Sequence, residues 1–189
     1  MSDLLLKSLR KFYATEYNFY QLYKVINTNS SISSISLRLV DWFVTNYSKK
    51  YNIIYLLDKE KNEITCDVSG DSVIQINVFQ AYKSQLKAFS KKRFDPFCRR
   101  ERIDFVCNEK LFNTTIGQLN FFKWAIANRV IDYIEMNKEI IEDDMNTSLK
   151  VTKETGKKNK NGRKYRQELS KSALRGLNRN KLSVCIRFD

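Results

Sequence analysis

At 189 residues, 42% of them hydrophobic, the chain is long enough to bury a core of its own, and few breakers (five Gly, one Pro) beside 12 Phe and 10 Tyr argue against a loop-rich scaffold. Its formal charge is +13, from 34 Lys/Arg against 21 Asp/Glu. There is no histidine, which excludes imidazole acid–base catalysis, Ser-His-Asp and Cys-His nucleophiles and most zinc and iron sites.

In chain order, residues 3–26 read as one helix with Leu5, Leu9, Phe12, Phe19, Tyr23 and Ile26 recurring at three- to four-residue steps, interrupted by Glu16. Polar residues 27–34 form a connection, and a second helix covers 35–49. Residues 52–68 read as two strands around a charged tip at 58–63. A third strand covers 73–79, where Ile74, Ile76 and Val78 alternate. A basic helix follows over 80–93, then a short fourth strand over 102–108. Thr115 and Gln118 stand at capping-box spacing and start a helical region over 116–146, which Asn128–Arg129 can split. Residues 147–167 have little apolar content and a dense Lys/Arg run, so they read as a basic flexible loop. A short helix over 168–180 and a closing strand over 182–188 return to the body. The expected fold is α+β: a small, mostly antiparallel sheet packed by three or four helices, with a body at 1–146, the loop at 147–167 and a returning segment at 168–189.

The positive charge is concentrated. Residues 82–102 carry +6 and residues 151–189 carry +9, while the rest of the chain sums to −2. Two basic zones on a near-neutral body suit a polyanion. On a helix over 80–93, Lys83, Lys87 and Lys91 repeat every four residues as a ridge flanking the core-facing Tyr82, Leu86 and Phe89. Lys92 and Arg93 follow, and beyond an Asp95–Pro96 turn Arg99 and Arg100 offer forked donors to phosphate. The second zone supplies Lys157, Lys158, Lys160, Arg163, Lys164 and Arg166, a pattern shared by phosphate-binding arms and nuclear-localisation signals. Against these stands the plain reading of a solvated helix face and loop. Phe89, Phe94 and Phe97 read as core, not as stacking platforms.

Other chemistry is poorly supported. Cys66, Cys98, Cys107 and Cys185 form no CxxC pair and read as reduced thiols. The acidic run Glu142, Asp143 and Asp144 reads as a solvated helix end. No nucleotide or metal motif occurs, so neither a catalytic residue, a metal nor a cofactor is expected. The start, MSDLLLKSLRKFY, breaks its apolar run after three residues, and nothing approaches the ~20 apolar residues of a membrane span. Neither a signal peptide nor a membrane partner is expected.

Three stretches, 36-SLRLVDWFVTNYSKKYNIIY-55, 82-YKSQLKAFSKKRFDPFCRRERI-103 and 114-TTIGQLNFFKWAI-126, resemble an uncharacterised protein family of nucleocytoplasmic large DNA viruses, of the mimivirus, iridovirus and phycodnavirus kind. The resemblance implies a viral product made in host cytoplasm and packaged with DNA or capsid; it carries no catalytic residue onto the chain. The expected function is non-enzymatic, sequence-independent nucleic-acid binding, DNA ahead of RNA, as a virion or core component. The alternatives are a structural or adaptor protein docking an acidic protein surface, and an accessory factor in viral transcription or replication.

Overall fold

The computed structural model describes residues 2–26, 35–67, 72–107 and 110–154. The expected helix over 168–180, the closing strand over 182–188 and the basic residues Lys157, Lys158, Lys160, Arg163, Lys164 and Arg166 lie outside the described residues.

The chain opens with two helices, α1 (Ser2–Tyr13) and α2 (Glu16–Ile26), where one was expected. On a continuous helix, Leu9 and Tyr13 would face opposite to Phe19, Leu22 and Val25. All five are buried, and the break at Ala14–Thr15 lets both sets turn inward. Asn18 caps the end of α1 by donating Nδ2 to the Phe12 carbonyl at 2.9 Å.

Ser36 starts the next helix, its Oγ accepting from the Leu39 N–H at 3.1 Å. It runs as α3 (Leu37–Trp42), a π-helical segment (Phe43–Tyr47) and a final turn, α4 (Ser48–Lys50). The wider turn coincides with two hydroxyls bonded back to the preceding turn, Thr45 to the Asp41 carbonyl at 2.6 Å and Ser48 to the Val44 carbonyl at 3.0 Å.

Strand β1 (Ile54–Asp58) is the centre of a three-stranded antiparallel sheet, with β2 (Glu63–Thr65) on one side and β3 (Val73–Asn77) on the other. Asp58 shapes its tip, accepting from the Glu60 and Lys61 N–H groups and the Ser72 hydroxyl. β3 passes directly into α5 (Val78–Arg93), capped by Asn77, whose Oδ1 accepts from the Gln80 N–H at 3.0 Å. Strands β4 (Ile103–Cys107) and β5 (Lys110–Thr114) form a second, two-stranded antiparallel sheet with Phe105 opposite Phe112 on its buried face. The architecture is α+β as expected, but β5 was unread and the single sheet is two.

The core centres on α6 (Ile116–Ala127), which packs against α1, α2, α5 and α7 (Val130–Met136). Arg129, in the left-handed conformation (φ 56°), makes the expected break between α6 and α7. A second break at Asn137 leads to α8 (Lys138–Glu154), which stays helical through the first residues read as loop. The acidic run on α8 is not uniformly solvated. Asp144 accepts from the Trp42 indole at 3.1 Å and the Tyr51 hydroxyl at 2.9 Å and pairs with Lys50, which ties α8 to the end of the π-containing helix. Those donors hold the Asp144 carboxyl below its ordinary value despite the desolvation opposing them.

Trp42 and Trp124 are each 7% exposed. Both should emit at blue-shifted wavelengths in the folded protein and resist iodide until denaturant is added; free quenching of either in the native state would contradict its position in the core.

Candidate nucleic-acid interface

The basic–aromatic stretch separates into an inward and an outward half. Phe94 is 1% exposed and lies 5.2 Å from Phe121, 5.7 Å from Trp124 and 5.9 Å from Tyr82 between ring centroids. Phe89 packs on Phe94 from the rim. The expectation that Phe89 and Phe94 serve the core is borne out; Phe97 is half-buried under the Arg99 guanidinium, 4.7 Å from its ring centre.

The backbone that carries the charges is clamped to the start of α6. Gln118 Nε2 donates to the Pro96 carbonyl at 2.9 Å, Asn120 Nδ2 to the Arg93 carbonyl at 2.9 Å, and the Asp95 N–H to the Gly117 carbonyl at 3.2 Å. Thr115 caps α6 as its spacing suggests, its Oγ1 accepting from the Gln118 N–H at 3.1 Å. The Gln118 amide does not return to the cap; its Oε1 accepts from Thr114 at 2.7 Å while its nitrogen holds Pro96. At Gly117 the two backbones approach so closely that a methyl group would meet the Lys92 carbonyl oxygen at 3.3 Å.

The ridge expected on α5 is shorter than its spacing suggests. Ser90 has φ 55° and ψ 167°, a conformation that costs a non-glycine residue on the order of 1–3 kcal/mol, and it kinks the helix. Lys83 and Lys87 share the flank before the kink; Lys91 lies beyond it, half-buried, where its charge acts on Asp41. Lys49 of α4 joins the flank from a second element. Its Nζ stands 5.8 Å from the centre of the Phe79 ring, and Lys83 Nζ stands 5.5 Å from the same centre. Only the pairing of α4 with α5 reveals Lys49; in sequence it is one of two lysines ending a helix.

Beyond the clamp, Arg99 does not offer an open fork. Its Nε and Nη2 donate to the two Asp95 carboxylate oxygens at 3.1 and 3.0 Å. Arg93 is half-buried, and Arg102 donates to Asn113 at 3.1 Å. Lys87, Lys92 and Arg100 are exposed and form no ion pair with a carboxylate among the described residues. These three are the cations best placed to meet an anion, with Lys83, Lys91, Arg93 and Arg99 setting the field around them.

Beneath this surface lies Asp41, 3% exposed, whose carboxyl is raised from the ordinary 3.8 to about 6. Burial is the main cause and the negative charge of Asp95 adds to it, while Arg99 and Lys91 oppose both. Tyr82 feels the same surroundings, its phenol pushed well up by burial. Among the described residues, no group of three or more His, Cys, Asp or Glu side chains could hold a metal ion, and no helix is long and apolar enough to cross a membrane.

A family model described as a family of unknown function, DUF7197, matches residues 1–188. The chain belongs to that family. It is also similar to the uncharacterized protein L507 of Acanthamoeba polyphaga mimivirus, at 40% identity over 172 residues. That match covers 86% of this chain and 59% of the relative, so the chain spans well under two thirds of the relative's length. The kinship with uncharacterised proteins of large DNA viruses is borne out. No solved structure matches the chain.

The Asp41 shift has a signed consequence. Between pH 3.8 and about 6 the folded chain holds a proton on Asp41 that the unfolded chain releases, so its contribution to stability is present at low pH and lost as pH rises through that window. Against Asp41→Asn, the wild type should lose on the order of 2 kcal/mol between pH 4 and pH 7 in denaturant titrations. Parallel pH profiles for the two proteins would contradict this.

Proposed function

We propose that this protein is a non-enzymatic, sequence-independent nucleic-acid-binding protein that contacts phosphates through the basic surface of α5 and the clamped segment after it. The observation that carries the reading is the exposure of Lys87, Lys92 and Arg100 without carboxylate partners among the described residues, on or beside backbone that buried amides of α6 fix in place. Cations held at fixed positions neutralise phosphates with less ordering cost than mobile ones, and each neutralised phosphate releases counterions whatever the base sequence. Arg99, already forked on Asp95, contributes charge and rigidity in this scheme. Lys157, Lys158, Lys160, Arg163, Lys164 and Arg166 form a second basic set of the same sign.

Nothing in this surface favours base readout: the aromatic rings that could stack on bases point into the core or lie under Arg99. DNA in a viral core, within the virion and the host cytoplasm, is the partner this charge pattern and kinship suit best.

The test is salt-dependent binding to two unrelated duplexes. Replacing Lys87 and Lys92 by Gln should weaken binding equally for both and reduce the slope of log affinity against log salt by about 0.9 per lost contact. Folding should be unaffected, since both side chains are exposed. Unchanged affinity and slope would defeat the reading, and selective capture of an acidic polypeptide in place of DNA would favour an adaptor role.

A further inference from the structure

The β4–β5 hairpin has an edge that the rest of the described chain leaves uncovered. Only two residues separate Cys107 from its partner Lys110, so that pair is the mutually hydrogen-bonded kind; Phe105–Phe112 and Ile103–Thr114 then follow by alternation. Asp104 and Val106 therefore direct their N–H and C=O groups away from β5. No backbone group among the described residues pairs with them there. An open groove lined by Arg10, Ala14 and Asp104–Cys107 runs beside this edge. On the outward face, Val106 is 63% exposed and its cross-strand neighbour Leu111 is 65% exposed.

A bare two-stranded sheet with an open edge and an exposed apolar pair is a template for a further strand. We propose that the occupant is a second copy of this chain, joined β4 to β4 in antiparallel fashion about a two-fold axis. The edge is self-complementary in one register. With the axis at residue 106, the two Val106 residues form a mutually hydrogen-bonded pair, and Leu111, Val106 and their copies line up as one apolar row across four strands. With the axis at residue 104, two aspartates would face each other; with the axis at residue 105, each Asp104 would oppose a Val106, and the row would be broken. Such an isologous contact closes on itself and pairs the Val106 backbone groups of both copies. The inference stands apart from nucleic-acid binding.

The full chain should show a concentration-dependent monomer–dimer equilibrium in sedimentation, and Val106→Lys should be monomeric at the same concentrations with an unchanged circular-dichroism spectrum and a melting temperature that no longer rises with concentration. In the dimer, the two Cα atoms at position 106 would lie about 5.5 Å apart, within disulfide reach, so Val106→Cys should give a 106–106 cross-link on mild oxidation, identified by mass mapping. Hydrogen exchange at Val106 should slow as concentration rises. A wild type that stays monomeric, a dimer that survives Val106→Lys, or exchange protection independent of concentration would each overturn the proposal, the last by showing that the chain's own residues or another molecule fill the edge.

Discussion

Helix α6 buries nine of its twelve residues, among them Gln118 and Asn120, whose amides have no access to water and must find partners inside the protein. They find them on the Arg93 and Pro96 carbonyls. An unmade hydrogen bond at such a position costs about 1–3 kcal/mol, so the path of the chain from Arg93 to Pro96 is set by polar groups of the core. Phe94, seated between Tyr82, Phe121 and Trp124, adds an apolar anchor at the same place. The charged surface is thus an extension of the core, and the strain at Ser90 is held in place by contacts on both sides of it.

This explains why charge and aromatic rings alternate so densely between residues 82 and 102. The rings secure the segment and the cations face out, with Arg99 between the two roles, stacked on Phe97 and forked on Asp95. Asp95 and Asp41 under the same surface partly offset its field, and burial raises the Asp41 carboxyl.

Much of this was legible in the sequence. Alternation located β3 and β4, the charged tip at 58–63 placed β1 and β2, and the Thr115–Gln118 spacing located the start of α6. Most of the misses share a cause: they are decided by partners distant in sequence. The break at Ala14–Thr15 has no glycine or proline and follows from where two apolar faces must go. The π-helical turn and the Ser90 kink leave no compositional trace. β5 holds two apolar residues side by side, Leu111 and Phe112, and becomes a strand by pairing with β4. Asp144 looked like one acid in a run until Trp42, Lys50 and Tyr51 were seen around it. Within the candidate site, the basic residues could be named from sequence, but which of them had carboxylate partners could not.

Gly117 bears on how such a surface can vary. Its α-carbon abuts the peptide groups that carry Lys92 and Arg93. A larger residue there would have to push that backbone outward or shift the first turn of α6, altering the spacing between cations without changing any of them. Position 117 thus acts as a hidden gauge for the charge array. Relatives that differ there should also differ between residues 92 and 94, in step, even where every surface lysine and arginine is kept.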